Sequence, residues 1–114
     1  MLVLQFVETT AFTKRWSGLG LDEDDLLELQ KRLMENPMVG DIIVGTGGAR
    51  KVRFALPHKG KSSGARIIYV DILYDKQIHL LLCYAKAKQE TLTDEQKSQL
   101  RSVIKAIKEE GRHG

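Results

Sequence analysis

The sequence holds a single cysteine, Cys83, in 114 residues, so an internal disulfide is excluded and a reducing compartment is expected. Proline is nearly as sparse, with two residues, and no low-complexity tract interrupts the chain. No apolar run approaches the roughly 20 residues that a membrane helix needs. Residues 1–7 are too short and too lightly charged for a signal peptide, and a cytoplasmic protein is expected. His58, His79 and His113 fall on a loop, a strand and the terminal tail, with no cysteine pair or acidic ligand at metal spacing, so no metal or other cofactor is expected. The most informative shortage is local. Between Arg50 and Arg66 there is no acidic residue at all.

That segment carries Arg50, Lys51, Arg53, Lys59, Lys61 and Arg66, together with His58. Like charges gathered on a folded domain repel one another unless an anion meets them. Nucleic acids are the most abundant cellular polyanions, and Lys/Arg contacts to phosphate supply most of their sequence-independent affinity. The formal net charge of +3 hides this concentration. Residues 1–46 carry 4 basic and 8 acidic side chains, residues 47–91 carry 9 and 3, and residues 92–114 carry 5 and 4. The positive charge lies mid-chain.

The length suits one domain spanning residues 1–114. Leu2–Val7 reads as a short strand and Thr9–Trp16 as a short helix capped by a threonine. Asp22 caps the next helix, Asp22–Asp25 suits its positive end, and Leu26, Leu29 and Leu33 form the apolar stripe that Asn36-Pro37 terminates. Ile42–Val44 is a brief extended piece. Three strands follow, at Arg50–Leu56, Ala65–Leu73 and Gln77–Tyr84, the last two joined through Tyr74-Asp75-Lys76 as an antiparallel hairpin. A helix over Asp94–Glu109 closes the chain, with Thr93 and Gln96 at capping-box spacing and Leu100, Val103, Ile104 and Ile107 on one face. The order predicts an α+β domain with a small, mainly antiparallel sheet, two N-terminal helices and one C-terminal helix.

Strand alternation divides the basic segment. Val52, Phe54 and Leu56 share one face, expected to pack on helices, and Lys51, Arg53 and Ala55 share the other, expected to be the open face. Arg66 opens the neighbouring strand and can join the pair, while Lys59 and Lys61 sit on the loop between. Gly45-Thr46-Gly47-Gly48 lacks the lysine-serine/threonine ending of a P-loop and opens a strand, so it reads as a turn needing positive φ. Cys83, after Leu80-Leu81-Leu82, reads as an inert core residue. Tyr84 ends that strand, where it can pack in the core or stack on a base.

Asn36-Pro37 before Gly40-Asp41, then Gly45-Thr46-Gly47-Gly48-Ala49-Arg50-Lys51-Val52-Arg53, then Gly64-Ala65-Arg66-Ile67-Ile68-Tyr69, and last Tyr84-Ala85-Lys86, together resemble the RelE/HigB toxins of bacterial toxin–antitoxin modules. The likeness is greatest to the HigB-type branch with its glycine-rich turn, and it spans nearly the whole chain. It implies a RelE-like fold and a ribosome-dependent endoribonuclease that cleaves translated mRNA without a metal. It also implies two kinds of partner, the ribosome with its mRNA and a cognate antitoxin, which in the HigB-type branch often carries a helix-turn-helix. The implied catalytic residues are Lys51, Arg53, Arg66 and Lys86. Arg50, His58, Lys59, Lys61, Tyr84 and Lys88 are the expected RNA contacts. Gln89–Thr93 lacks the stacking tyrosine that the RelE branch carries near its final helix, and the histidine pair of some HigB toxins is also missing.

The chemistry asks for such a set. Attack by a 2′-hydroxyl builds negative charge on phosphorus, which fixed cations stabilise. Arginine stays charged and binds phosphate bidentately, which assigns Arg53 and Arg66 to that role. A lysine crowded by like charges releases its proton more readily, which makes Lys51 or Lys86 the acid/base candidate. The alternative is a non-catalytic module that binds RNA, the ribosome or an antitoxin through the same cations.

Overall fold

The structure, a computed structural model, describes residues 3–55, 64–89 and 91–113, excluding the side chains of residues 112 and 113. His58, Lys59 and Lys61 of the basic loop, the strand end at Leu56 and the tail histidine His113 lie outside the residues or side chains described.

The elements follow the predicted order. β1 (Gln5–Glu8) leads into α1 (Thr10–Gly18), whose N-cap Thr9 accepts a hydrogen bond from the Phe12 amide. α2 (Glu23–Glu35) begins with a full capping box, Asp22 to the Asp25 amide and Asp25 back to the Asp22 amide. β2 (Asp41–Ile42) is a two-residue edge strand; β3 (Arg50–Ala55), β4 (Gly64–Ile72) and β5 (Gln77–Ala85) form the meander. A 3₁₀ turn at Leu73–Asp75 and a left-handed Lys76 join β4 to β5. α3 (Asp94–His113) closes the chain.

The sheet order is β1-β5-β4-β3-β2. Every pairing is antiparallel except β1, which runs parallel to β5. The α+β class and mainly antiparallel sheet therefore stand as predicted.

Helices cover both faces, which corrects the expectation of an open one. Phe12 and Trp16 of α1 and Leu29 and Leu33 of α2 pack with Val52, Phe54, Ile67, Tyr69, Ile78 and Leu80. Leu100 and Ile104 of α3 pack on the other face with Ile68, Val70, Ile72, Leu81 and Leu82. The reason is in β4 and β5 themselves. Residues 65–70 are buried without a break, as are residues 80–84, and such runs belong to strands covered on both sides. α3 shelters one end of its face and leaves the other to the cations.

A bulge tunes this arrangement. Ile68 pairs with Leu82 but Tyr69 pairs with Leu80, so Leu81 is an extra residue in β5. Leu81 and Leu82 both join the α3 cluster, and the alternation beyond them is shifted by one. Cys83 consequently faces α1 and α2, and Tyr84 faces α3. Bulges commonly re-aim a side chain in this way.

Among the described residues no helix is long and apolar enough to cross a membrane.

Candidate nucleic-acid interface

Register brings the predicted cations into rows. Arg53 stands opposite Arg66 across β3 and β4, and Arg66 stands opposite Tyr84 across β4 and β5. In the next row Lys51 stands opposite Ile68 and Leu82. Strands lie about 4.8 Å apart and alternate residues about 6.8 Å apart along a strand, so Lys51, Arg53, Arg66 and Tyr84 share one small patch. The patch lies on the α3 face, beyond the part covered by Leu100 and Ile104.

The members differ in access. Arg53 is exposed and Lys51 half-buried. Tyr84, expected to contact RNA, keeps only 3% of its surface exposed and packs in the core beside Leu82 and Leu92, so of the two roles open to it the structure gives core packing rather than base stacking. Arg66 keeps only 8% of its surface exposed, and its Nη1 has no hydrogen-bond partner among the described residues. Like charges directly opposite one another destabilise a sheet, and a buried donor without a partner costs about 1–3 kcal/mol. The row is therefore arranged at the expense of stability. Gly64 makes space beside it, since a side chain there would begin 3.5 Å from Arg66 Nη1.

Two further lysines flank the row. The Lys86 amide donates to the Gly64 carbonyl at 2.9 Å, continuing the β4–β5 ladder one residue past Ala85. Lys86 is half-buried and Lys88 is exposed on the turn that follows.

Arg50 is placed elsewhere. It faces α1 and α2, where its Nε meets Asp71 at 3.0 Å and its Nη1 donates to the Gly40 carbonyl at 2.8 Å. The Tyr69 hydroxyl holds the same loop, donating to the Pro37 carbonyl at 2.8 Å and accepting from the Gly40 amide at 2.9 Å. Burial raises the Tyr69 phenol above its ordinary pKa. Gly40 fits there because a Cβ would stand 3.0 Å from the Arg50 Cβ, the Lys51 carbonyl and the Tyr69 ring. Alternation alone separates Arg50 from Lys51 and Arg53, so the sequence carried the signal.

The glycine-rich turn has its own task. Gly45, Gly47 and Gly48 all take positive φ, as expected of a turn rather than a phosphate loop. Buried Thr46 closes it, donating to the Ile43 carbonyl and accepting from the Ala49 amide. Its carbonyls are held from α3: Arg101 Nη1 donates to Gly45 at 3.0 Å and Lys108 Nζ to Gly47 at 2.9 Å.

The remaining titratable candidates are structural. Burial pushes the Cys83 thiol up to about 12, which keeps it protonated and unreactive at neutral pH. His79 is held near its Gln77 neighbour at 3.0 Å, and burial lowers its pKa. Among the described residues no three His, Cys, Asp or Glu side chains gather as a metal site.

No model of a known protein family matches the sequence. Among solved structures, the chain is similar to E. coli toxin RelE in the free state, there carrying two arginine-to-alanine changes. The TM-score is 0.53 at 17% identity, over 77% of this chain and 88% of that one. At that identity the likeness speaks for architecture: the chain has the RelE-like α+β fold.

Proposed function

We propose that the protein is a ribosome-dependent mRNA endonuclease of the RelE/HigB type, in its HigB-like branch, and that a cognate antitoxin neutralises it. The observation that carries this reading is Arg66, almost wholly buried, opposite Arg53 and Tyr84, with Nη1 unpartnered among the described residues. The RelE-like fold supports it.

In this reading the scissile phosphate sits over the Arg53–Arg66–Tyr84 row. The 2′-oxygen of the preceding nucleotide bonds to phosphorus as the P–O5′ bond breaks, leaving a 2′,3′-cyclic phosphate and a 5′-hydroxyl. The proton from the 2′-hydroxyl leaves to a base, and the departing 5′-oxygen gains one. Lys51 and Lys86 are the residues of this chain assigned to that transfer. Arg66 and Arg53 stabilise the charge that develops on the phosphoryl oxygens, a role worth about 10²–10³ in rate for a single well-placed donor. Tyr84, buried against α3, packs beneath the row and supports Arg66 from below, and Lys88 adds affinity for the backbone. No cofactor enters the scheme.

Expression in bacteria tests the proposal. Wild-type chain should halt growth and leave mRNA cut within translated frames, and Arg66→Ala should do neither. Normal growth with intact mRNA under wild-type expression would refute it.

A further inference from the structure

α3 carries a second feature that the cleavage row does not use. Beside its apolar face run Lys97, Arg101, Lys105 and Lys108. At 100° per residue they fall within a sector of about 80°, and they span about 16 Å along the axis. Glu95, Glu109 and Glu110 lie outside that sector. Asp94 lies inside it, in the first turn, where a carboxylate complements the helix dipole.

The sector borders the glycine-rich turn and is open to solvent: Arg101 and Lys105 are exposed, and Lys97 and Lys108 are half-buried. Arg101 and Lys108 reach the carbonyls of Gly45 and Gly47, in the turn that feeds directly into β3 with Lys51 and Arg53. Between helix and turn lies a groove of about 390 Å³, lined by Gly47, Arg101, Ile104, Lys105, Lys108 and Glu109. A guanidinium has five donors and an ammonium three, so each cation keeps donors after serving its carbonyl. Among the described residues none of the four forms an ion pair.

We propose that this flank of α3 is a track for single-stranded RNA, holding by its phosphates the part of the substrate that continues out of the cleavage row. The inference rests on the ribonuclease reading and adds a second contact region to it. One line of cations beside a narrow groove with an apolar floor fits one strand, and its continuity with β3 ties it to the substrate.

The test measures binding of substrate-like RNA carrying a 2′-deoxy sugar at the cleavage position, as a 3-mer and a 12-mer, across a salt series. Wild-type protein should bind the 12-mer at least tenfold more tightly. The double variant Lys97→Gln/Lys105→Gln leaves both loop carbonyls held, and a thermal melt checks its folding. It should lose most of the length gain, and its salt slope should fall by about 1.4, two contacts at about 0.7 each. A double variant with the full wild-type length gain and slope overturns the proposal. So does one that loses ribosome binding alone, because the track would then hold ribosomal RNA. If wild-type protein shows no cleavage yet the length gain vanishes in the double variant, the track stands and the nuclease reading falls.

Discussion

Arg50 and Arg66 stand on opposite faces of the same pair of strands, and their surroundings differ in kind. Arg50 has an anion in Asp71 and a carbonyl in Gly40, so it stitches β3, β4 and the loop after α2 together. Arg66 is buried at least as deeply, has Arg53 across from it, and keeps one N–H without a partner among the described residues. A buried charge that the protein itself satisfies is architecture. One left unsatisfied is the mark of a site in the proposed reading, and removing it should relieve the fold rather than harm it.

The largest expected effect comes from Arg66→Ala. Cleavage should fall by about 10²–10³, while the unfolding midpoint in denaturant stays level or rises. A large loss of stability would make Arg66 architectural and dissolve the contrast. The opposite pattern is expected of Arg50→Ala. It leaves Asp71 mostly buried and unpaired, and should cost about 2–3 kcal/mol in urea unfolding while the folded fraction cleaves at nearly the wild-type rate.

Tyr69→Phe sharpens the architectural side. It removes the hydroxyl that holds Pro37 and Gly40, and should cost about 1–2 kcal/mol with no change in cleavage per folded molecule. Gly64→Ala probes the other side more gently. Its methyl would meet Arg66 Nη1 at ordinary contact distance, so a decrease of about twofold to fivefold in cleavage is expected, with stability almost unchanged. An effect confined to stability would show that the space beside Arg66 serves packing.

Much of this was readable in advance. The caps at Thr9, Asp22 and Thr93, the stop at Asn36-Pro37 and the Tyr74-Asp75-Lys76 connection are local signals, and they place the elements within a few residues. Alternation put Val52 and Phe54 in the core and kept Lys51 with Arg53. The covering of the second face has a signal too, in the unbroken apolar runs Ile67–Val70 and Leu80–Tyr84, which outweighs the open face that the neighbouring cations suggest. Arg50 adjoins Lys51 in sequence, yet period two puts it with Val52 on the other face.

Other features had no local signature. The parallel pairing of β1 with β5 is a long-range choice, set once the α1 connection crosses the sheet. The bulge at Leu81 is equally silent in sequence, yet it decides whether Tyr84 or Cys83 stands opposite Arg66. Nor does any pattern of residue types tell that Arg66 would be the buried member of the row and Arg53 the exposed one. That depends on where α3 ends its cover.

In this reading Arg66 serves a substrate phosphate while Arg50 serves the fold. That division of roles is tested most directly by single-turnover cleavage on mRNA-programmed ribosomes with both alanine variants, each matched to its own unfolding curve. Slow cleavage with intact stability is expected for Arg66→Ala, and near-normal cleavage with reduced stability for Arg50→Ala. Equal cleavage by the two folded variants would contradict that division.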